Sequence, residues 1–568
     1  MASGTSIDLT RREFVASWGS LLAGASFLSS SSDGAQIGEV SARGEPLTLQ
    51  DLEASARVAG MSFSAEEMTL ALPGVQRQLT LFRQRLDQVS LDESSSPAMR
   101  FDPLLPGRSR PDQANRVVLS QAAVPRLPDT EEDIAYAPVT HLSEWIRSRQ
   151  LSSERLTEIY LRRLGRFDSR LHCVVTLTRD LARQQARRAD RELAQGRYRG
   201  PLHGIPWGAK DLLDTAGIAT TWGAAPFRDR VAERDAAVVQ RLERAGAVLV
   251  AKLTLGALAM GDVWFDDTTR NPFNPEQGSS GSSAGSAAAT AAGLVGFSIG
   301  TETLGSIVSP CMRCGTTGLR PTFGRVARTG AMPLCWSLDK IGPICRTVED
   351  AALVLAAIHG ADEGDPSSVD CGFDYDGRRD LSGLKVGYSP RWFEGQGRDG
   401  DRRALGALRG LGLELVEVDL PDLPYSLLYT ILNVEAAAAF EALTRSHRDD
   451  LLVRQSGGAW PNLFRKAWYV PAVEWLQLDR LRRQAMEGLA GVFDSVDLVS
   501  APSFGNPLLV ATNFTGHPSL TLRTGFREDQ TPTGTTLWGR LFDEGTLCRV
   551  GVALERELRV WDRRPERS

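Results

Sequence analysis

Residues 278–310 read GSSGSSAGSAAATAAGLVGFSIGTETLGSIVSP, and this stretch decides the fold of the chain. A Gly/Ser loop opens it, the Ala-rich residues 287–292 have the composition of a closely packed helix, and a short apolar run leads to a second Gly/Ser turn at Ser306. A flexible linker would end before the Ala-rich and apolar parts. The pattern therefore predicts one supersecondary unit with a hydroxyl-bearing loop at each end.

The first Gly/Ser loop has two further interpretations. Residues 281–285 read GSSAG and fit the G-x-S-x-G nucleophile elbow, with Ser283 as the nucleophile. An elbow requires a strand directly before it, and Pro272 and Pro275 in the preceding NPFNPEQGS favour a loop instead. A phosphate-binding Gly-rich loop would end in Gly-Lys-Ser/Thr, and this stretch does not. The elbow and the phosphate loop are therefore the weaker interpretations.

Three motifs together resemble the amidase signature family. They are GSSGSSAGSAAATAAG from residue 278, GTETLGSIVSP from residue 300 and, upstream, LHGIPWGAKDLLDTAGIATTWGA from residue 202. The motifs occur in the family's order, and the resemblance spans roughly residues 135–560. Members of this family include fatty-acid amide hydrolases, peptide and mandelamide amidases, and the amide-hydrolysing subunit of tRNA-dependent amidotransferases.

Alternation of short β-rich runs with helical patterns indicates an α/β fold. Residues 247–255 and 384–390 are such runs, and residues 235–246 form a helical pattern between others. This alternation predicts an α/β sandwich around a mostly parallel sheet. The family resemblance implies a large mixed sheet with helices on both faces, which is an α/β/α sandwich.

Composition divides the chain into three parts. Residues 1–35 are typical of an export signal, residues 36–130 of a helical accessory arm and linker, and residues 131–568 hold the catalytic domain that the resemblance implies. Within the arm, apolar residues spaced three and four apart predict an N-terminal helical extension. Ser64 and Glu67 form a capping box at the start of its second helix.

The export prediction depends on TRREF at residues 10–14, which resembles the twin-arginine motif. The uncharged run after it is shorter than the about 20 apolar residues of a spanning helix. An N-terminal arm with an accidental Arg pair is the alternative, because the lysine that often follows the motif is missing. Export predicts a periplasmic or secreted protein with no membrane span after processing, and without export the protein would be cytoplasmic.

Composition also limits the classes of partner that the protein is expected to bind. The chain has 568 residues, is 42% hydrophobic and 24% charged, and carries a net charge of -5. This acidic balance gives no reason to expect a nucleic-acid partner, since phosphate binding needs a basic face. Seven cysteines in so long a chain are no disulfide framework. Cys311 and Cys314 form a single CxxC, which favours a structural pair, with a redox influence on nearby Ser306 left open.

The resemblance implies a Ser-Ser-Lys relay. Ser306 aligns with the family's acyl-forming serine, Ser282 with its bridging serine, which follows a cis peptide bond, and Lys210 with its base. A lysine with its ordinary pKa of about 10.4 is a cation, so Lys210 must be desolvated to act as a base. Neutral Lys210 would then draw a proton through Ser282 from Ser306. This chemistry needs no metal or organic cofactor.

The turn before Ser306 departs from the family pattern. The oxyanion and substrate-binding groups that the resemblance implies are Thr303, Leu304 and Gly305. The family's Gly-Gly is Leu304-Gly305 here, its Asp is Glu302, and its Arg two residues after the serine is Val308. A working turn requires a negative φ at Leu304, because leucine resists positive φ. The paired loss of Asp and Arg predicts a rewired support for the turn and makes a catalytically silent family member an alternative.

The sequence therefore predicts an amidase that hydrolyses a carboxylic amide to an acid and ammonia or an amine through a seryl acyl-enzyme. The alternative within the family is the glutamine-hydrolysing subunit of a tRNA-dependent amidotransferase, and the export signal and arm count against it. A Ser-His-Asp relay through His203 or His517 lacks a convincing elbow serine, so both histidines favour structural roles. The expected partners are a small-molecule amide, no nucleic acid and, as an option, a second copy of the chain.

Overall fold

The computed structural model of the chain describes residues 47–89, 95, 97–120, 123–395 and 397–565. These residues form two compact units, of which the first ends at Val89 and the second holds the described residues after it. The export signal predicted at residues 1–35 lies outside the described residues. Residues 97–120 and 123–130, predicted as part of the arm and linker, belong to the second unit.

The first unit consists of two helices, α1 (Leu49–Val58) and α2 (Ala65–Gln88). The predicted capping box of α2 is confirmed. The Glu67 amide donates to Ser64 Oγ at 3.2 Å, and the Ser64 amide donates to Glu67 Oε2 at 2.7 Å. Each contact satisfies a backbone N–H that the first turn of a helix leaves unpaired, so α2 begins where the sequence predicts.

The second unit alternates strands with helices along most of its length. Its strands are Arg116–Val118 (β1), Val174–Leu177 (β2), Pro206–Lys210 (β3), Val248–Leu253 (β4), Arg270–Asn271 (β5), Asn274–Gly278 (β6), Phe297–Glu302 (β7), Thr317–Arg320 (β8), Lys340–Cys345 (β9), Asp374–Asp376 (β10), Lys385–Tyr388 (β11), Glu414–Glu417 (β12), Leu498–Ala501 (β13), Ser519–Phe526 (β14) and Pro532–Gly539 (β15). Its α-helices are Glu131–Tyr136 (α3), Val139–Arg147 (α4), Ser153–Leu171 (α5), Arg179–Ala194 (α6), Ala237–Arg244 (α7), Ala284–Ala291 (α8), Val308–Cys314 (α9), Val348–Ile358 (α10), Asp399–Gly410 (α11), Tyr429–Ala439 (α12), Glu441–Arg445 (α13), Trp460–Ala467 (α14), Ala472–Ser495 (α15), Leu508–Thr515 (α16) and Glu544–Leu558 (α17).

An 11-stranded sheet with the order β12-β11-β13-β15-β14-β8-β9-β7-β3-β4-β2 forms the centre of this unit. Strands pair in parallel at β11–β12, β11–β13, β3–β4 and β3–β7, and the other neighbours are antiparallel. The mixed sheet of the α/β/α sandwich is thus confirmed, and the mostly parallel sheet predicted from alternation is wrong. The alternation of strands and helices does not extend to β14 and β15. A short turn joins these two strands, and such a turn permits only antiparallel pairing.

Residues 278–310 form the predicted supersecondary unit. Helix α8 is buried along its whole length, strand β7 follows it, and helix α9 begins just after the second Gly/Ser turn. A Cβ added at Gly285 would lie 2.4 Å from the Cys173 carbonyl oxygen and 2.5 Å from the Thr254 amide. Only glycine permits this close approach of α8 to its neighbours.

Strands β5 and β6 lie directly before the first Gly/Ser loop and pair antiparallel. The loop predicted for NPFNPEQGS is therefore wrong in part, because Pro275 sits in a two-stranded sheet whose short strands tolerate proline. This sheet is separate from the 11-stranded one. No strand of the central sheet leads into Ser283 in the described chain, so its surroundings differ from a nucleophile elbow.

Among the described residues, no helix is both long and apolar enough to span a membrane.

Candidate active site

Lys210 is the last residue of β3, in the interior of the sheet, and its side chain is fully buried. Its Nζ is hydrogen-bonded to Ser282 Oγ at 2.8 Å, Ser283 Oγ at 3.1 Å and Thr301 Oγ1 at 2.8 Å, and lies 3.4 Å from the Thr301 carbonyl oxygen. Thr301 comes from β7, which neighbours β3 in parallel. Two adjacent strand ends thus hold the amine against the first Gly/Ser loop.

The surroundings of Lys210 favour its neutral form. Burial lowers the pKa of its amine well below the usual range, and the charges of Asp339 and Glu302 oppose this shift. The hydrogen-bond partners of the amine in the described chain are hydroxyls and one carbonyl rather than a carboxylate. A neutral amine can accept a proton, which an ordinary lysine at neutral pH cannot.

The first Gly/Ser loop brings two neighbouring serines to Lys210. The peptide bond between Gly281 and Ser282 is cis, as the resemblance implied, and both Ser282 and Ser283 are buried. The Ser283 hydroxyl accepts from the Thr301 amide and donates to the Thr301 carbonyl, both at 3.1 Å. The Ser283 hydroxyl is therefore held by the backbone of β7 in addition to its contact with Lys210, whereas the Ser282 hydroxyl contacts the Lys210 amine at the shorter distance of 2.8 Å.

Ser306 lies in the turn between β7 and α9 and is 8% exposed. Its carbonyl oxygen accepts from the Ser283 amide at 3.1 Å. This main-chain contact joins the two Gly/Ser loops, which helix α8 and strand β7 separate in sequence. The structure therefore brings the loops of Ser282 and Ser306 side by side, with Lys210 beneath the first.

The turn before Ser306 meets its backbone requirement at Gly305 rather than at Leu304. Gly305 has a φ of +82°, which glycine adopts without strain, while Leu304 is not among the residues with positive φ. The expectation of a negative φ at Leu304 is thus met. The Leu304 side chain is half-buried, and Thr303 donates its hydroxyl to Asp339 Oδ1 at 2.6 Å. The Thr303 contact fixes the turn on the side before Leu304.

Glu302 supports the turn from below. Its Oε2 accepts the amides of Ile307 at 2.8 Å and Val308 at 2.9 Å, directly after Ser306. Its Oε1 accepts from Arg320 Nη1 at 2.6 Å and from Asn513 Nδ2 at 2.9 Å. Arg320 of β8 thus supplies Glu302 with a cation, while the prediction that this support differs from that of the family stays a prediction.

The charge state of Glu302 follows from these contacts. Burial alone would raise its pKa, but the Arg320 guanidinium and the donated hydrogen bonds outweigh burial and lower the pKa to about 2. Both side chains of the pair are 0% exposed. A carboxylate that stays ionised in the interior keeps its two backbone amides oriented at any physiological pH.

A cavity of about 300 Å³, here called the inner cavity, lies beside the turn. Thr301 and Thr303 form part of its wall, with Leu212, Met332 and Trp336 among the apolar residues. Thr301 also contacts Lys210, so the inner cavity borders the Lys210 cluster. Its position and apolar wall suit a ligand group next to the Lys210 cluster.

The other candidate residues lie in structural surroundings. His203 Nε2 contacts the Ala189 carbonyl at 2.9 Å, and His517 is hydrogen-bonded to Thr515 and has its pKa lowered to about 3 by burial. Cys311 and Cys314 are free and buried in α9. Burial raises the pKa of the Cys311 thiol to about 12, so it is not a ready nucleophile.

Several residues of the cluster receive no role there from the family resemblance. Thr301 and Ser283 lie inside the quoted motifs, and Asp339, Arg320 and Asn513 lie outside them. The signal for Thr301 is its place at the end of a buried strand, five residues before Ser306. Arg320 and Asn513 carry no such signal, because they reach Glu302 from other elements of the fold.

Known proteins resemble the chain over most of their length. A family model described as Amidase matches residues 155–509. One glutamyl-tRNA(Gln) amidotransferase subunit, from Moorella thermoacetica, is 33% identical over 485 residues, which cover 76% of this chain and 99% of that protein. The crystal structure of native peptide amidase from Stenotrophomonas maltophilia is similar with a TM-score of 0.67 and 31% identity, covering 76% of this chain and 98% of that one. The chain belongs to the amidase signature family.

Proposed function

We propose that the protein is an amidase in which Ser306 is the nucleophile, Ser282 carries the proton and Lys210 is the base. The observation that carries this proposal is the contact of 2.8 Å between Lys210 Nζ and Ser282 Oγ, made by a fully buried amine with a strongly lowered pKa. A buried amine without a carboxylate partner is costly to keep protonated, so it suits proton transfer better than structural support.

The proposed proton path begins at the Lys210–Ser282 contact and extends to Ser306 in the adjacent loop. Lys210 accepts the Ser282 hydroxyl proton while Ser282 takes the proton of Ser306, and Ser306 Oγ bonds to the amide carbonyl carbon. The proton returns through Ser282 to the leaving nitrogen, the C–N bond breaks, and an ester of Ser306 remains. Water then loses a proton to the same relay and attacks the ester carbon. The bond to Ser306 Oγ breaks, the relay returns the proton to Ser306, and the acid is released.

The negative charge that forms on the substrate oxygen needs donors, and we assign them to the backbone amides of residues 303–306. Glu302 holds the amides just after Ser306, and Asp339 holds the Thr303 side chain, so the turn is fixed from both ends. Fixed donors stabilise the oxyanion without reorganising during the reaction. Thr303, Leu304 and Gly305 therefore serve as oxyanion and substrate-binding residues in this proposal.

The test combines a labelling reaction with a substrate screen. A small fluorophosphonate should label wild-type protein at Ser306, identified by peptide mass spectrometry, and should not label Ser306→Ala. Primary, aryl, peptide and fatty-acyl amides and glutamine should be screened for released acid. Hydrolysis of glutamine alone would favour the amidotransferase function, which the likeness to the Moorella thermoacetica protein supports. Absence of labelling and of all hydrolysis would establish a silent family member instead.

We expect the catalytic efficiency to rise from acidic to alkaline buffer. The proton-accepting form of Lys210 is the neutral amine, which is lost as the pH falls through the lowered pKa. The measurement is kcat/KM against pH for one amide. Lys210→Arg is the matched control, because a guanidinium stays charged and should be inactive at every pH. A profile of the wild type that is flat across the same range would contradict a lysine base.

Leu304→Gly should leave Ser306 reactive and widen the range of acyl groups that are hydrolysed. Leucine fits the backbone here, so its half-buried side chain rather than its φ is the feature that differs from glycine. The measurements are the rate of labelling by a small fluorophosphonate and kcat/KM over a series of acyl groups. Leu304→Ala should change the range in the same direction by less. Loss of labelling, or an unchanged range, would mean that Leu304 only supports the turn.

Export of the protein is also proposed. TRREF at residues 10–14 supports translocation of the folded protein, and residues 1–35 would then be removed. Fractionation of the native host should find a shortened protein outside the cytoplasmic membrane. Arg11→Lys combined with Arg12→Lys should retain the precursor in the cytoplasm. Full-length wild-type protein in the cytosol would contradict export.

A further inference from the structure

A second and larger cavity, of about 700 Å³, lies in the same unit and is here called the outer cavity. One wall is formed by residues 97–106, here called the strap, and the opposite wall by α12 and α15. The strap lies outside residues 155–509, where the family model matches. A cavity wall from outside the shared part of the chain is a feature by which this protein can differ from its relatives.

The strap is anchored to the unit by specific contacts. Arg100 Nη1 donates to the Pro366 carbonyl oxygen at 2.5 Å. The Phe101 ring centroid lies 3.4 Å from the Arg482 guanidinium, and the ring packs edge-on against Phe323 at 5.2 Å between centroids. Arg482 in turn donates to the Ser337 carbonyl at 2.7 Å. The strap is therefore a fixed part of the cavity wall.

The two cavities adjoin at residues that line both. Arg328, Trp336 and Pro366 belong to the wall of the inner cavity and of the outer cavity. Arg328 donates to Asp365 at 2.9 Å and to the Trp336 carbonyl oxygen at 2.6 Å, so it holds Trp336 between the two spaces. The outer cavity thus adjoins the inner one across these three residues.

The wall of the outer cavity suits an uncharged, apolar ligand group. Met99, Leu104, Trp475 and Met486 contribute apolar surface. The buried carboxylate of Glu435 already accepts the amide and hydroxyl of Ser337, at 2.9 Å and 2.6 Å. The rim arginines are also engaged, Arg480 with Gln477 and Arg483 with Glu487. A ligand group that enters here gains contact with apolar side chains while the charged groups keep their partners.

We propose that the outer cavity is a substrate subsite, which binds the distal apolar or aromatic part of an elongated amide whose carbonyl reaches Ser306. This inference rests on the proposed amidase function and specifies its substrate class. Amides that end within the inner cavity gain nothing from the outer one, and longer amides gain buried apolar area. The strap is then a specificity-determining segment, although it supplies no group to the chemistry.

The test uses two variants that each place a bulky side chain in the outer cavity, from opposite walls. Ala438 lies in α12, is exposed and lines the outer cavity, so Ala438→Trp adds bulk without disturbing the core. Met99→Trp does the same from the strap, where Met99 is 70% exposed. Ala194→Trp is the matched control, since Ala194 is an exposed alanine in α6 that lines neither cavity. The substrates are primary amides of increasing acyl length, with phenyl-terminated members.

We expect Ala438→Trp and Met99→Trp to lower kcat/KM for the longest amides by at least about tenfold, chiefly through KM. For the shortest amides, kcat/KM of both variants should stay within about twofold of wild type. Ala194→Trp should stay within about twofold of wild type for every amide. Labelling by a small fluorophosphonate should be unchanged in all variants. Equal effects on short and long amides, or no effect on either, with an active wild type would overturn the subsite alone. A wild type that hydrolyses no amide and resists labelling would overturn the proposed function and the subsite together.

Discussion

Lys210→Met and Ser306→Ala are each expected to lower turnover by a factor on the order of 10⁴ or more, with the double variant little worse than the slower single one. Lys210 is buried without a carboxylate partner and contacts Ser282 at 2.8 Å, so its loss removes the proton acceptor. Residues that act as one relay are not additive, since removing any member stops the same step. The measurement is kcat for the best amide found in the screen.

Folding must be shown to survive these substitutions. Methionine is about as long as lysine and apolar, so it should fit a site that holds a neutral amine, and the melting temperature should stay close to that of wild type. Lys385→Met is the control for loss of a lysine, because Lys385 lies at the other end of the sheet with its side chain 45% exposed. Turnover of Lys210→Met within about tenfold of wild type would reject the relay.

Arg320→Met should destabilise the second unit by about 3–5 kcal/mol, because it leaves the Glu302 carboxylate buried without its cation.

The pair of Arg320 and Glu302 also predicts that acid destabilises the protein. Folding lowers the Glu302 pKa from 4.5 to about 2. The stability that this shift represents, about 3 kcal/mol, is present above pH 4.5 and is lost as the pH falls through the folded value. Urea unfolding of wild type at neutral and acidic pH, and of the variant at neutral pH, measures both effects.

Tryptophan fluorescence is a suitable signal, because 11 of the chain's 12 tryptophans follow Val89 and Trp18 alone precedes it. Arg483→Met is the matched control, since its partner Glu487 is 55% exposed and surface ion pairs contribute little. Glu302→Gln should reduce the loss of stability on acidification. The double variant Glu302→Gln with Arg320→Met should lose less free energy of unfolding than the sum of the losses in the two single variants. Arg320→Met with wild-type stability would show that Asn513 and the backbone amides alone hold Glu302.

Lys210, Ser282 and Ser306 could be predicted as candidate site residues because each lies within one of three short motifs. Ser282 and Ser306 stand at the two ends of one helix and strand, and Lys210 ends a strand beside it. Support for the turn could not be predicted in this way. Arg320 reaches Glu302 from β8, and Asn513 reaches it from α16, 211 residues away in the chain. Such contacts are set by the order of strands in the sheet, which a single sequence does not display.

The same limit explains the errors in the fold. The antiparallel pairing of β14 and β15, and of β7 with β9, leaves no mark in the spacing of apolar residues. Pro275 favoured a loop where β5 and β6 form a small sheet, because proline is excluded only from positions whose N–H must pair inside a sheet. The strap gave no signal of a role, since a cavity exists only once distant elements are packed together.

Ser283 connects the first Gly/Ser loop to strand β7 and to the turn at Ser306. Its amide holds the Ser306 carbonyl, and its hydroxyl holds both backbone groups of Thr301. Neither serine loop can therefore open alone, because opening one breaks contacts of the other. Amide hydrogen exchange at Ser283 and Thr301 reports on a single cooperative opening, and the enzyme loses its site in one event rather than by gradual loosening.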